Sequence, residues 1–210
     1  MKKLFRLAAG CALLPIGLLA QPAPAKPSAA ASLEQRVRAI EDREGILKTM
    51  YQYAYLVDFG QDIHEYTDLY TEDAVFQSIP PAGLADIAHT TPRPGNGAVI
   101  GHQGLEKWIT NEWQARDRLL AAGHYRIHTM IEPDIALDGD RASARSYFQT
   151  TDNDNGRIYI VSIGVYKDLF VRSADGRWRM KERLLIRQGA ANPGGAVAAT
   201  ATKDSAASQR

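Results

Sequence analysis

The sequence predicts an α+β domain, with helices on one face of a curved, mostly antiparallel sheet. Three observations predict it. Apolar residues recur at helical spacing through the first third of the folded region, at Leu33, Val37, Ile40, Leu47, Met50, Tyr51, Ala54 and Val57. The second half instead reads as a succession of strands. Tight turns containing glycine, Asp138-Gly139-Asp140 and Ser173 to Gly176, separate those strands and make a meander. Helices first and strands afterwards is the α+β order.

Each element follows from local chemistry. Ser32-Leu33-Glu34-Gln35 is a capping-box pattern that starts a long helix over 33–59, and Gly60 ends it. A short helix, Ile63 to Tyr70, follows Asp62, and Glu72-Asp73 turns the chain into a strand over Ala74 to Ser78. Ile79 to Gly101 is rich in proline and glycine and is expected to be a long loop of the kind that forms lids or binding loops. Gly104 to Leu120 returns to helix, with Leu105, Trp108, Ile109 and Trp113. The strands are Tyr125 to Leu137, Arg141 to Thr151, Arg157 to Arg172 and Trp178 to Arg187.

Both ends read as foreign to this domain. A basic start (Lys2, Lys3, Arg6), an apolar run from Leu7 to Ala20 and the small-residue site Ala23-Pro24-Ala25 describe a secretory signal peptide over 1–25. The run is shorter than the roughly 20 residues needed to span a bilayer. Export to the periplasm or medium is therefore expected, with no stable membrane anchor after cleavage. Cleavage is placed after Ala25, with Ala20 as the alternative. Residues 26–32 read as a Pro/Ala linker, and 188–210 as a disordered tail with too little apolar surface to offset ordering entropy. The folded unit is 33–187.

The charge balance bounds the function. The full chain has 210 residues, with 25 basic against 24 acidic side chains, and no strongly basic face is evident for nucleic acid. Removing the signal leaves 22 basic against 24 acidic side chains and takes away the single cysteine, Cys11. Disulfides, thiol nucleophiles and cysteine-ligated zinc are then excluded from the mature chain.

Asp58 is the most informative residue. At 100° per residue it returns to the azimuth of Ile40, and Leu47 and Tyr51 lie within about 20° of that line. Either a carboxylate sits on the apolar stripe, where burial would make it a plausible base, or the helix has ended and Asp58 begins a solvated loop. His124 and His128 share a strand face with Arg126 and Met130, while Tyr125, Ile127, Thr129 and Ile131 face the other way. That face either meets solvent or lines a cavity. The two histidines stand about 13 Å apart along a strand, too far to chelate one metal easily. No metal or cofactor site is expected. Tyr51, Tyr53, Tyr55, Tyr66 and Tyr70 form either a binding wall or core.

The order of elements and several segments resemble a known family. The segments are Leu33-Glu34-x-x-Val37-x-x-Ile40-Glu41-Asp42-Arg43-Glu44, Tyr53-Ala54-x-x-Val57-Asp58, Asp68-Leu69-Tyr70-x-Glu72-Asp73-Ala74-Val75-Phe76, His128-x-x-x-x-Pro133-Asp134-Ile135-x-Leu137-Asp138-Gly139-Asp140 and Asp175-Gly176-Arg177-Trp178. Over 33–187 they resemble the SnoaL-like branch of the nuclear transport factor 2-like superfamily. The resemblance implies a cone-shaped barrel, about three helices packed on a strongly bent sheet around one apolar pocket. Its scytalone dehydratase-like members carry an Asp–His pair in that pocket, at positions that fall on Asp58 and His128 here. A second histidine of that branch falls near Thr151 or Asp152 and has no counterpart. The resemblance implies a cofactor-independent lyase, dehydratase or isomerase acting on a small hydrophobic cyclic molecule. Asp58 and His128 would be its catalytic residues, with Tyr53, Tyr55, Trp108 and His124 as candidate substrate contacts. The same fold also serves non-catalytic periplasmic binding proteins and structural subunits, and it implies a homodimer through the outer sheet face.

Overall fold

In the computed structural model, two long helices, one short helix and a single six-stranded sheet make up the domain. The structure describes residues 32–79 and 97–188. The expected signal peptide, nearly all of the linker, the C-terminal tail past Gln188 and most of the 79–101 loop, with Cys11 and His89, lie outside the described residues.

The elements are α1 (Leu33–Phe59), α2 (Ile63–Thr67), β1 (Tyr70–Ile79), β2 (Val99–Ile100), α3 (Gly101–Ala121), β3 (His124–Asp138), β4 (Arg141–Asp154), β5 (Arg157–Arg172) and β6 (Trp178–Gln188). Asp62 caps α2 by accepting the backbone N–H of His64 at 2.8 Å. The strand after α2 begins four residues earlier than the sequence predicts, at Tyr70, so α2 is shortened. The two-residue β2 falls inside the expected loop, where its pairing with β1 decides its conformation.

The sheet order is β2-β1-β6-β5-β4-β3, and only the β1–β6 pair is parallel. β2 and β3 are its edges, so the sheet is open rather than a closed barrel. Bulges bend it: the β3–β4 register shifts between Ile131 and Asp134, where Glu132 has φ 48°, and the β4–β5 register shifts between Thr150 and Thr151. β4 alternates buried and exposed residues from Arg141 to Thr150, as period-2 patterning requires of a sheet covered on one side.

α1 packs against β3 and β6, and α3 packs against β1, β2 and β3. The core joins Ile46, Met50, Tyr53 and Leu56 of α1 to Leu105, Ile109 and Trp113 of α3, over Phe76, Phe148, Tyr166 and Phe170 of the sheet. The buried face of α1 differs from the stripe its sequence suggests. Leu33, Val37 and Ile40 are 72%, 43% and 61% exposed, whereas Asp42, Thr49 and Asp58 are buried. Only the second half of α1 lies deep on the sheet. Polar contacts tie down its middle: Thr49 Oγ1 donates to the Trp178 carbonyl at 2.8 Å, and Asp42 accepts from Arg172 and from Trp178 Nε1.

Candidate active site

The last turn of α1 is held from outside the helix. Trp113 Nε1 of α3 donates to the Leu56 carbonyl at 2.8 Å, and Arg116 Nη1 donates to the Gly60 carbonyl at 2.8 Å. The Leu56 carbonyl also accepts the Gly60 N–H at 2.9 Å, so the Trp113 donor adds a second bond there, and the Arg116 charge suits the negative end of the helix dipole. Gly60 is required here. A Cβ would stand 2.4 Å from the Leu56 carbonyl oxygen and 2.8 Å from the Trp113 ring. α1 therefore stops where Asp58 still belongs to its last turn.

That turn abuts β3, and Asp58 engages it with both oxygens. Oδ2 accepts the backbone N–H of His128 at 2.7 Å, and Oδ1 lies 2.5 Å from His128 Nδ1. An ionised carboxylate only accepts, so Nδ1 is the donor of this pair, and in the neutral imidazole the lone pair is then on Nε2. Asp58 is buried, while the His128 side chain is 26% exposed and lines a cavity. No hydrogen-bond partner is found for Nε2 among the described residues.

The cavity has a volume of about 1030 Å³ and is enclosed by α1, α3 and the concave face of β3 to β6. Its apolar wall includes Val57, Trp108, Leu119, Phe148 and Leu185, and Tyr53 and Tyr166 contribute rings and hydroxyls. Trp108 sits against Phe76 with ring centroids 4.6 Å apart, and Tyr53 meets Tyr166 edge-on at 5.8 Å. Burial pushes the Tyr53 and Tyr166 phenols above their ordinary value, so both are neutral and can donate a hydrogen bond.

Beneath those rings lies a buried ion pair. Arg183 Nε and Nη2 each donate to Asp168 at 2.8 Å, and the guanidinium stacks on Tyr53 at 4.0 Å and on Tyr166 at 4.4 Å. Arg183 has no solvent exposure. It holds the two tyrosines from below by cation–π contact.

Of the residues the sequence singled out, the structure gathers Asp58, His128, Tyr53, Trp108 and His124 around this cavity. Tyr55 is not among them. It is 61% exposed and lies tilted against Phe59, because two residues of helix carry it about 200° from Tyr53. The strand face with His124, Arg126, His128 and Met130 lines or borders the cavity, Ile127 and Ile131 are exposed at the other face, and Tyr125, at the start of the edge strand, turns to the cavity rim beside Phe59. Sequence reading missed Asp152, Asp168 and Arg183. Asp152 shares parity with Phe148 and Thr150, which was the available signal. Arg183 precedes three apolar residues and carried none. No group of three or more His, Cys, Asp or Glu able to hold a metal ion occurs among the described residues.

A second hollow, of about 880 Å³, lies between the start of α1 and the β5–β6 turn, lined by Leu33, Arg38, Asp42 and Trp178 among others. None of the candidate site residues reaches it.

Comparison with known proteins bears on this arrangement. Residues 38–184 match the family model of the SnoaL-like domain. The chain belongs to the SnoaL-like family. The fold of the SnoaL-like domain recurs in an NTF2-like protein with a cystatin-like fold from Novosphingobium aromaticivorans, at TM-score 0.60 and 23% identity, covering 77% of this chain and 94% of that one. It recurs in a putative aromatic ring hydroxylase from the same organism, at TM-score 0.51 and 27% identity over 72% of this chain and 94% of that one. ActVI-ORFA from Streptomyces coelicolor is similar at TM-score 0.52 and 18% identity, covering 70% and 96% respectively. The search of curated proteins finds no match. The architecture of this SnoaL-like domain is thus the α+β cone of the nuclear transport factor 2-like superfamily.

Proposed function

We propose that the SnoaL-like domain is a cofactor-independent lyase or isomerase for a small hydrophobic cyclic molecule, with His128 as general base. The observation that carries this reading is the double engagement of His128 by Asp58, through the imidazole at 2.5 Å and the backbone N–H at 2.7 Å. A carboxylate in that position fixes the imidazole tautomer and stabilises the imidazolium formed on proton uptake. His128 Nε2 takes a proton from a carbon next to a carbonyl, and the electron pair moves into an enolate. Tyr53, neutral and on the cavity wall, donates a hydrogen bond to that oxygen. The proton then returns to another carbon, or the enolate expels a leaving group.

Deuterium exchange tests the first step without the natural substrate. Cyclic aryl ketones such as tetralone, incubated with the protein in heavy water, should incorporate deuterium next to the carbonyl. Wild-type exchange no faster than that of His128→Ala overturns the assignment and leaves a non-catalytic small-molecule-binding protein of the same fold.

The reading places the protein in the periplasm or medium, supported by the basic, apolar and small-residue sequence of 1–25. N-terminal sequencing of the exported form should begin at Lys26. The outer sheet face exposes Ile127, Ile131, Tyr147, Ile158 and Ile163, a patch suited to pairing two copies, so a homodimer is expected by size-exclusion chromatography with light scattering.

A further inference from the structure

One cation on the cavity wall has no role in the dyad. Arg187 of β6 is half-buried and lines the cavity, and no hydrogen bond or ion pair to its guanidinium is found among the described residues. The other half-buried or buried arginines each have a side-chain or carbonyl partner: Arg116 the Gly60 carbonyl, Arg126 Asp152, Arg172 Asp42, Arg179 Asp68 and Asp175, and Arg183 Asp168, with only Nη1 of Arg183 left unpaired beneath the tyrosine rings. Arginine stays charged at any working pH, and its planar fork matches a carboxylate. A guanidinium facing a cavity of mixed lining, with no carboxylate in ion-pair contact among the described residues, is a place for a ligand's charge.

The sheet register locates it relative to His128. Arg187 pairs with Gly164, Gly164 with Phe148, and Phe148 with Met130, so these four share one row and one face. His128 is two residues along β3 from the end of that row. Three strand spacings make about 14 Å on a flattened sheet, and less across a bent one. Between them no side chain stands at Gly164. A Cβ there would meet the Ile186 carbonyl oxygen at 2.1 Å and Phe148 Cε1 at 2.5 Å, so the Phe148 ring lies across that position as an apolar floor. A flat ring system can rest on Phe148 with one end at His128 and the other at Arg187.

We infer that the substrate is a carboxylate-bearing cyclic molecule whose acid group is held by Arg187 while its acidic C–H faces His128. The inference rests on the proposed function and names its substrate class. Glu112 of α3 lines the same cavity. The charges of Glu112 and Arg187 both act on the Tyr53 phenol, which burial holds up chiefly and Arg183 draws down. Glu112 therefore opposes an acidic ligand and limits its affinity.

Calorimetric titration of the purified full chain with naphthoate and with its neutral isostere naphthamide tests this. The wild type should bind naphthoate about tenfold or more tightly than naphthamide, the range expected for a charge-assisted hydrogen bond. Arg187→Gln should abolish the preference with an unchanged melting temperature, and Glu112→Gln should widen it. Equal binding of the two probes, binding of neither, or a preference that survives in Arg187→Gln overturns the inference. His128→Ala separates the two ideas. It should keep the naphthoate preference while losing deuterium exchange, so failure of the acid site and failure of the base give different results.

Discussion

Two histidines on one face of β3 each have an aspartate beside them, and only one pair is closed. His128 receives two hydrogen bonds' worth of contact from Asp58, at the imidazole and at its own backbone. His124 Nδ1 lies 3.4 Å from Asp152 Oδ1, yet neither atom has a hydrogen-bond partner among the described residues although both are buried. Asp152 is instead committed to Arg126, whose Nε donates to Oδ2 at 3.1 Å. The difference lies in where the carboxylate comes from. Asp58 arrives from a helix end and meets β3 with its backbone donor free. Asp152 is on the neighbouring strand β4, where the β3 backbone groups are already spent on the ladder and a cross-strand arginine competes. Proximity of aspartate to histidine is thus insufficient for a dyad; a second anchor on the carboxylate makes one.

Breaking the closed pair should have the largest effect. Asp58→Asn and His128→Ala should each slow ketone deuterium exchange by roughly 10²–10⁴-fold, the range for a positioned general base, whereas His124→Ala should change it no more than a few-fold. In Asp58→Asn the amide oxygen would still accept the His128 backbone N–H. The amide NH₂ would face Nδ1 and move the proton to Nε2, which disables the base. Histidine nitrogen NMR sharpens this point. Wild type should show the Nδ1–H tautomer at His128, Asp58→Asn should show Nε2–H, and the His124 signals should stay put.

Stability should rank the pairs the other way. Asp152→Ala strands the Arg126 guanidinium and should cost about 3 kcal/mol in urea unfolding, the low end for breaking a buried pair because Arg126 keeps some solvent contact. Asp58→Ala leaves the His128 N–H unmatched and should cost roughly 1–2 kcal/mol. A larger loss for Asp58→Ala than for Asp152→Ala would contradict the assignment of Asp152 as structural.

The smallest effect belongs to carboxylates on the surface, far from either histidine. Hydrogen bonding to Arg179 holds Asp175 down to about 2. A depressed folded value contributes stability that is present above the usual carboxylate range near 4 and is lost as pH falls through about 2. Asp175→Asn should therefore lower the melting temperature slightly at neutral pH and match wild type below about pH 2. High salt should shrink the difference.

Much of the fold was legible because its signals are local. The helix over 33–59 and the strands from 125 onward follow from spacing, and the glycine turns set where strands end. β2 was illegible, since two residues carry no period and only pairing with β1 defines them. Tyr53 and Tyr55 were indistinguishable as residue types, and the phase of α1 on the sheet decided between them. The Arg183–Asp168 pair joins two strands 15 residues apart, and its cost is met by tyrosine rings that arrive from α1 and β5.

The sequence by itself determined the long helices and the strands from 125 onward, the parity that puts His124, Arg126, His128 and Met130 on one face of β3, and the nomination of Asp58. It could not say which face of β3 turns inward. Parity sorts residues into two sets, and the helices packed above the sheet choose between them. Here they cover the more polar set and leave Tyr125, Ile127 and Ile131 exposed. Asp58 shows the same division. It shares its azimuth with Ile40 and nearly with Tyr51, both more than half exposed, yet it is buried. Helical phase is the same for all three; only at the last turn do α3 and β3 close over that side of α1, and His128 of β3 supplies the donors that make a buried carboxylate tolerable.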